Sequence, residues 1–304
     1  MPESRSKAVS DTQTQNIFGR PLTIFGVPVD RKIIFSDHKG RYKNRIEKRQ
    51  RKLIVKTTFI KFFLLHNECI RCLTTGYSPI SALEQVFTGL AFLFFKRAIF
   101  VFTDKRILHI PTRFNRSSFG AVSQIWYEDC ANINLKGRTL IVKYKNGSEE
   151  QFPYIGRKER KKLKVLLAAI QLKPKAAGNL NARVSLCPSC TNVLDPKSDH
   201  CPTCKLKFKS GFQAKLRSLL IPGGGYFYSR HSILGTLLGI VEIALVTKLI
   251  LDGIAWNEGF TVDLGFMALV AFTLMAAKLI SAYHTEQLTK KFIPEPKDFA
   301  VRKI

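Results

Sequence analysis

Acidic residues are scarce in this sequence of 304 residues. Asp and Glu together number 22 against 49 Lys and Arg, which leaves a formal net charge of +27. So large a surplus indicates an acidic partner surface, either nucleic acid or the anionic face of a membrane. The two possibilities separate according to where the charge lies relative to any membrane segment.

The N-terminus has no apolar stretch, and the sequence has no recognisable catalytic motif. Residues 1–16 lack apolar periodicity, so we expect them to be disordered and not to act as a secretory signal. The glycines at 223–225 lack the lysine of a phosphate-binding loop. His66, His109 and His200 have no recognisable nucleophile partner. These absences predict a protein that is not an enzyme.

Positive charge is densest in the basic N-terminal segment, residues 17–60. From His38 to Lys56 there are nine Lys and Arg residues and one acidic residue, Glu47. Contact with an anionic membrane surface is one interpretation, and a solvated helix that folds back onto the next domain is the other. The membrane contact would involve Lys39, Arg41, Lys43, Arg45, Lys48, Arg49, Arg51 and Lys52.

Residues 61–173 carry the pattern of an antiparallel β domain that ends in a helix. Asp104–Lys105, Gly137–Arg138 and Asn146–Gly147 each separate two stretches of strand-like sequence, as expected for tight hairpins. The spacing of the apolar residues then changes from every second residue to a period of about 3.6 residues. This change predicts an amphipathic helix that closes a β roll. Its apolar face would consist of Leu163, Leu166, Leu167 and Ile170.

The stretch VFTDKRILHIP at 101–111, the YED at 127–129 and the closing helix resemble the bacterial pleckstrin-homology-like and GRAM-type domains. The resemblance covers about a third of the chain and implies a binding or scaffolding module with no particular ligand. Within this domain we expect Cys69, Cys72 and Cys130 to be small buried residues and not a second metal site.

Two C-x₂-C pairs, ten residues apart, lie in the segment 182–210. Thiolates at this spacing can reach one tetrahedral zinc ion and leave no open position for water, so we expect a structural site. The predicted ligands are Cys187, Cys190, Cys201 and Cys204. A pair of labile disulfides is the alternative, and the neighbouring His200 could substitute as a ligand.

The two cysteine pairs resemble the zinc-ribbon family, with Pro188 and Pro202 at equivalent positions. That family usually has glycine directly after the second cysteine of each pair, where the backbone turns. Here those residues are Thr191 and Lys205, so we expect turns that are strained or slightly different in geometry. The metal would stabilise a segment too short to bury a core of its own.

Two apolar segments, 232–251 and 264–283, are long enough to cross a membrane and form the predicted hairpin 216–285. The loop between them has acidic residues and no Lys or Arg, whereas basic residues precede the first segment and recur in the tail 286–304. By the positive-inside rule we expect both termini in the cytoplasm and an integral protein of the bacterial inner membrane. The apolar run 86–95 is too short to cross.

Glu242, near the middle of the first segment, suggests a function, because an ionised carboxylate is costly inside a membrane. The simpler interpretation is a protonated side chain that bonds to Thr273, while Lys278 extends towards the membrane surface. Gly235 and Gly239 form a GxxxG pattern that suits close contact with the second segment or with another copy of the chain.

Residues 222–230, with one proline and three glycines, allow a sharp turn before the first apolar segment and bring three aromatic residues to headgroup level. They resemble the opening of a family of short domains with two transmembrane helices, with Ser229 where that family usually has glycine. The resemblance covers about sixty residues and implies a membrane hairpin of unsettled function.

These patterns predict an α+β multidomain membrane protein: a pleckstrin-homology-like antiparallel β roll with a C-terminal helix, a small zinc ribbon and a transmembrane α-helical hairpin. The leading functional hypothesis is a membrane-anchored cytoplasmic adaptor that binds a protein partner or an anionic membrane surface. The alternatives are a membrane-tethered nucleic-acid-binding protein and a small transport or channel subunit that uses Glu242.

Overall fold

The computed structural model describes residues 16–17, 20–21, 23–80, 84–85, 95–113, 115–170, 172, 182–196 and 198–295. Three expectations therefore lie wholly or partly outside the described residues. They concern the disordered segment 1–16 apart from Asn16, the short apolar run at 86–94, and positions 296–304 of the basic tail.

The N-terminal segment begins with two small hairpins and continues with two helices. The strands are β1 (Asn16–Ile17), β2 (Arg20–Pro21), β3 (Thr23–Ile24) and β4 (Val27–Pro28). They precede α1 (Arg31–Ile34), α2 (Asn44–Lys56) and a 3₁₀ turn at Thr58–Phe62. The carboxylate of Asp30 accepts a hydrogen bond from the backbone N–H of Ile33 and so caps α1.

The β domain contains two antiparallel sheets. The first strands are β5 (Ile70–Tyr77), β6 (Arg97–Thr103), β7 (Arg106–Pro111) and β8 (Val122–Trp126). A 3₁₀ turn, Tyr127–Asp129, leads to β9 (Cys130–Lys136), β10 (Thr139–Tyr144) and β11 (Glu149–Phe152). The closing helix is α3 (Arg160–Ala168), and β12 (Val184–Leu186) follows it.

The strand orders are β12-β8-β7-β6-β5 in one sheet and β11-β10-β9 in the other. The predicted turns connect consecutive strands, and Gly137 and Gly147 have φ of 60° and 85° there, as hairpin turns require. β12 pairs with β8, so the start of the predicted cysteine segment 182–210 is a strand of the β domain. The hydrogen bonds between β12 and β8 attach the cysteine module to the five-stranded sheet.

The five-stranded sheet buries both of its faces. Along β6, Phe100 and Phe102 pack with the three-stranded sheet and α3, whereas Ile99 and Val101 pack with the N-terminal segment. Leu53 and Ile54 of α2 belong to the second of these cores, so the segment 17–60 is not separate from the β domain. It covers the second face of the sheet.

Four helices form the C-terminal part: α4 (Gly211–Leu220), α5 (Gly224–Tyr228), α6 (Ser232–Asn257) and α7 (Leu264–Thr289). The two predicted segments are confirmed as helices, and each continues six residues further than expected. α6 and α7 are long and apolar enough to cross a membrane, with mean hydropathies of 2.1 and 1.9. Only 17% and 11% of their most apolar windows are buried, whereas the core helix of a soluble protein is mostly buried.

α4 and α5 form a folded-back segment, residues 211–228, beside the two long helices. α4 runs antiparallel to α7, with Lys215 Nζ 2.9 Å from a Glu286 carboxylate oxygen and Ser218 Oγ 2.8 Å from Thr285 Oγ. The chain then breaks at Pro222 and returns through α5 to the start of α6. The backbone of this break touches α6 at Gly235 and Gly239, where a Cβ would meet Phe227, Gly223 or Pro222.

Both glycines of the GxxxG pattern are therefore used within the chain. We predicted contact with the second apolar segment or with another copy, but the partner of Gly235 and Gly239 is the folded-back segment. The folded-back segment approaches α6 with its backbone at Pro222 and Gly223. The facing positions on α6 therefore have no room for a side chain, which explains the two glycines. Tyr226 completes the packing through its hydroxyl, 3.1 Å from His284 Nδ1.

Replacing Gly225 by alanine should destabilise the folded-back segment. The new Cβ would overlap Ser218 Oγ and lie 2.8 Å from Thr285 Oγ1, and overpacking of this kind costs about 1–3 kcal/mol. The thermal midpoint of the full chain in detergent should fall by several degrees. Gly253→Ala is the matched control, because nothing lies within 4 Å of its Cβ position. Equal midpoints for the two variants would contradict the close packing.

Candidate functional site

The four predicted cysteines come together as one cluster. The Sγ atoms of Cys187, Cys190, Cys201 and Cys204 all lie within 4.8 Å of one another, and the cluster could hold a metal ion. The distances between Cys187 and Cys204 and between Cys190 and Cys201 are 3.5 and 3.4 Å. Both exceed a disulfide bond of about 2.05 Å, and they approach the edge of about 3.8 Å of a zinc tetrathiolate.

Each cysteine pair forms a turn of the same geometry. The N–H groups of Thr191 and Lys205 donate to the carbonyls of Cys187 and Cys201 at 2.9 and 3.0 Å. Thr191 and Lys205 have φ of 62° and 58°, in the left-handed region that favours glycine. The expectation of strained turns at these two residues is therefore confirmed.

Electrostatics at the cluster favour a thiolate at Cys201. Burial alone would raise the pKa of this thiol, but the backbone N–H groups of Cys204 and Thr203 and the facing thiols lower the pKa to about 7. Burial instead raises the pKa of Cys187. A cation bound between the four sulfurs would favour deprotonation of all of them.

His200 lies outside the cluster. Its ring is exposed, and Nδ1 lies 2.9 Å from the Asp199 carboxylate. Cys69, Cys72 and Cys130 are buried, as expected, and burial raises the pKa of Cys72 to about 11 and that of Cys130 to about 12. In the described part of the chain, no other group of three or more metal-binding side chains is close enough to share an ion.

Glu242 takes part in a buried ion pair. Its carboxylate lies 2.8 Å from Lys278 Nζ and accepts a hydrogen bond of 3.1 Å from the N–H of Gly223. The predicted partner, Thr273, donates instead to the carbonyl of Leu269 on its own helix. Lys278 does not extend to the helix end, because it also donates to the carbonyl of Ser218 at 3.2 Å.

The Glu242–Lys278 pair forms hydrogen bonds with two backbone groups that have no helical partner at the break between α4 and α5. Ser218 lies in the last turn of α4, and Gly223 precedes the first residue of α5. A carbonyl and an N–H at these positions have no partner within a helix. In an apolar environment such groups cost several kcal/mol unless they are bonded, and Lys278 and Glu242 supply the bonds.

The β domain and the cysteine module both contact the same end of the long helices. Phe95 lies against His231 and His284, with ring centroids 5.3 and 4.9 Å apart, and Lys291 Nζ donates to its carbonyl at 3.0 Å. Lys209, next to the cysteine module, donates its N–H to the carbonyl of Ile293 at 2.9 Å. The three parts therefore meet at one junction.

The eight predicted basic residues lie on α2 and the loop before it. Seven are exposed, and Arg49 is half-buried. Lys43 and Arg41 lie 3.1 and 3.8 Å from the Asp37 carboxylate, and Arg51 lies 2.7 Å from that of Glu47. Lys39, Arg45, Lys48 and Lys52 make no ion pair with the described residues.

The residues that sequence reasoning missed are Lys278, Gly223 and the partners of Arg49. The sequence contained a signal for the first of these residues, Lys278. Glu242 and Lys278 are each eighteen residues from Phe260, in the loop between the helices, and residues at equal distance from such a turn lie at equal depth. Opposite charges at equal depth in an apolar hairpin predict a pair.

No family model, no curated protein and no solved structure matches this chain.

Metal analysis of the purified full chain should find one zinc ion per molecule. Cys187→Ser or Cys201→Ser should reduce the zinc content to about one-tenth or less after dialysis, because a structural site loses most of its binding energy with one thiolate. His200→Ala is the control and should keep the full zinc content. Zinc retained in both serine variants, or lost in the histidine variant, would contradict this ligand set.

Glu242→Gln and Lys278→Met should each destabilise the helical part. Either change leaves one member of a buried pair alone, which costs about 3–5 kcal/mol. The double variant should lose less than the sum of the two single losses. Thermal midpoints in detergent would measure these effects, with a fall of about 10 °C expected for each single variant.

Lys215→Met is the control for these single and double variants. The Lys215–Glu286 pair is half-exposed and should contribute at most about 1 kcal/mol to the free energy of unfolding. Additive losses in the Glu242 and Lys278 variants would show that the two side chains act independently and would rule out the proposed role of the pair.

Proposed function

We propose that this protein is a membrane-anchored binding protein: a non-enzymatic adaptor whose β domain and metal module face the cytoplasm. The observation that carries the proposal is the junction at which both modules contact one end of the two apolar helices. A flexible tether would leave the modules free to reorient. Here the contacts at Phe95, Lys209 and Lys291 would hold them in one orientation relative to the membrane.

The charge distribution supports a cytoplasmic position for this end. The opposite end, the loop 258–263, contains Glu258 and Asp263 and no Lys or Arg. Near the junction lie Lys209, Lys215, Arg217, Arg230, Lys290 and Lys291. Under the positive-inside rule this asymmetry favours the junction on the cytoplasmic side, where thiolates also stay reduced.

Two features of the fold support the assignments made from sequence. Four antiparallel strands, β5 to β8, then three, β9 to β11, and then a helix are the elements of a pleckstrin-homology-like roll. The two equivalent cysteine turns support a zinc ribbon with one structural zinc ion. In this proposal neither module is a catalyst, and both provide binding surfaces.

We further propose that the break in the folded-back segment, residues 218–223, lies within the membrane boundary. Lys278 is eleven residues from the end of α7, so the break at Pro222 lies about 16 Å along the helix from that end. Phe212 and Leu220 are 74% and 71% exposed, as are apolar side chains of the long helices such as Ile233 at 70%. Acyl chains would cover these side chains. A transport role for Glu242 has less support, because Lys278 and Gly223 occupy its carboxylate.

Thiol labelling in intact cells would test the arrangement. Asn257→Cys, at the loop end of α6, should react with a membrane-impermeant maleimide from outside. Tyr42→Cys, at a residue that is 60% exposed on the β domain, should react only after the membrane is permeabilised. The unsubstituted protein gives the background from its native cysteines.

Carbonate extraction of the same cells should leave the protein in the membrane fraction. Reaction of Tyr42→Cys in intact cells would reverse the proposed orientation. Release of the protein by carbonate would exclude a membrane-spanning hairpin.

A further inference from the structure

A cleft of about 500 Å³ lies between the loop before α2, α2 itself and the start of α3. Seven of its lining side chains are cationic and two are carboxylates, Asp37 and Glu159. This volume suits a small molecule. The excess of positive charge makes the cleft unlike an ordinary apolar pocket and selects for an anion.

The floor of the cleft is a fixed guanidinium. Arg49 pairs through Nε with the carboxylate of Glu159, which is only 5% exposed. Gln50, fully buried beside them, donates to the carbonyl of Leu73 at 2.8 Å and accepts from its N–H at 2.9 Å. This network ties α2 and α3 to β5, so that Arg49 is held in place before any ligand arrives.

The walls of the cleft carry a surplus of positive charge. Arg157, Lys158, Arg160 and Lys161 have no carboxylate within 4 Å among the residues that the structure describes. They lie at the N-terminal end of α3, where the helix dipole adds further positive potential. Lys162 closes the back of the cleft, with Nζ 2.7 Å from the carbonyl of Ile34.

The cleft lies on the flank of the β domain and extends from the middle of β5, where the N–H of Gly156 donates to the carbonyl of Thr75 at 2.7 Å, towards the end of β5 at Ile70. The sheet end that meets the junction is the one where Tyr77 pairs with Arg97. At the other end, about 20 Å along β5, Ile70 accepts a hydrogen bond from Asp30, and α1 begins there. The last residue of α2, Lys56, bonds to Asn115 in the loop after β7, so the first turn of α2 points to the far end.

We propose that this cleft binds a small molecule that carries two or more phosphate groups. Each phosphate brings up to two negative charges and several strong acceptors, which match arginine forks and lysine ammonium groups. A ligand free in solution and a lipid headgroup can both supply such phosphate groups, and the two arms of the test below distinguish them. This inference names a ligand class for the binding role proposed above and rests on it.

The test uses the full chain in nanodiscs of neutral lipid and inorganic tripolyphosphate as the probe, by calorimetry at near-physiological salt. Lys158→Ala/Lys161→Ala should weaken binding about tenfold or more, since it removes two charge-assisted contacts. Both side chains are exposed, so the fold should persist. Lys48→Ala/Lys52→Ala is the matched control. It makes the same change of charge on α2 outside the cleft and should alter affinity about twofold or less.

A second arm separates the two sources of phosphate. Vesicles that contain a phosphoinositide are mixed with the nanodiscs, and their capture is measured by co-sedimentation. Capture that the cleft variant abolishes identifies a headgroup, whereas tripolyphosphate binding without capture identifies a soluble ligand; both support the cleft. Absence of binding in both arms, or equal weakening by the two double variants, overturns the proposal. Failure of the cleft proposal would leave the thiol-labelling pattern of Asn257→Cys and Tyr42→Cys unchanged. Failure of the proposed membrane arrangement would change that pattern, so the two failures can be told apart.

Discussion

The Glu242–Lys278 pair is the constraint on which the helical part depends. A chain that breaks a helix beside two apolar helices exposes backbone groups that lipid cannot bond. Glu242 bonds the N–H of Gly223, Lys278 bonds the carbonyl of Ser218, and each neutralises the other. Two charges that would be costly alone become inexpensive as a pair that also caps two helix ends. Glycine at 235 and 239 is a second condition, because the broken segment must approach α6 closely enough for these bonds to form.

The position of the folded-back segment in turn determines how the other modules sit. α5 ends at Tyr228, whose hydroxyl accepts a hydrogen bond from Ser210 directly after the cysteine module, and His231 begins the surface on which Phe95 and Phe119 pack. The same short segment therefore touches the long helices, the cysteine module and the β domain. A change in the packing of this segment against the long helices would therefore also change the orientation of the β domain and the cysteine module. This coupling is what distinguishes the protein from domains joined by linkers.

Sequence reasoning found the elements whose signals are local. The C-x₂-C spacing predicted the cluster at Cys187, and turn residues such as Asn146–Gly147 predicted the hairpins of the β domain. It left open whether the basic segment contacts a membrane or folds back onto the β domain, because charged residues on α2 conceal the short apolar pair Leu53 and Ile54. The uninterrupted apolar run of β6 was the available hint, since a strand buried on both faces does not alternate. Nor do local patterns reveal Arg49 against Glu159, which are 110 residues apart and meet only through tertiary packing.

The basic residues that give the net charge of +27 include two separate groups, one around the junction and one in the cleft. Basic residues around the junction lie next to the helices, where anionic headgroups would attract them over a distance of about one Debye length. Those of the cleft lie on the flank of the β domain, between α2 and the start of α3. Since like charges in one cleft repel one another, the cleft cations gain most from a compact multivalent anion. The proposed adaptor would then bind that anion at a fixed orientation to the apolar helices.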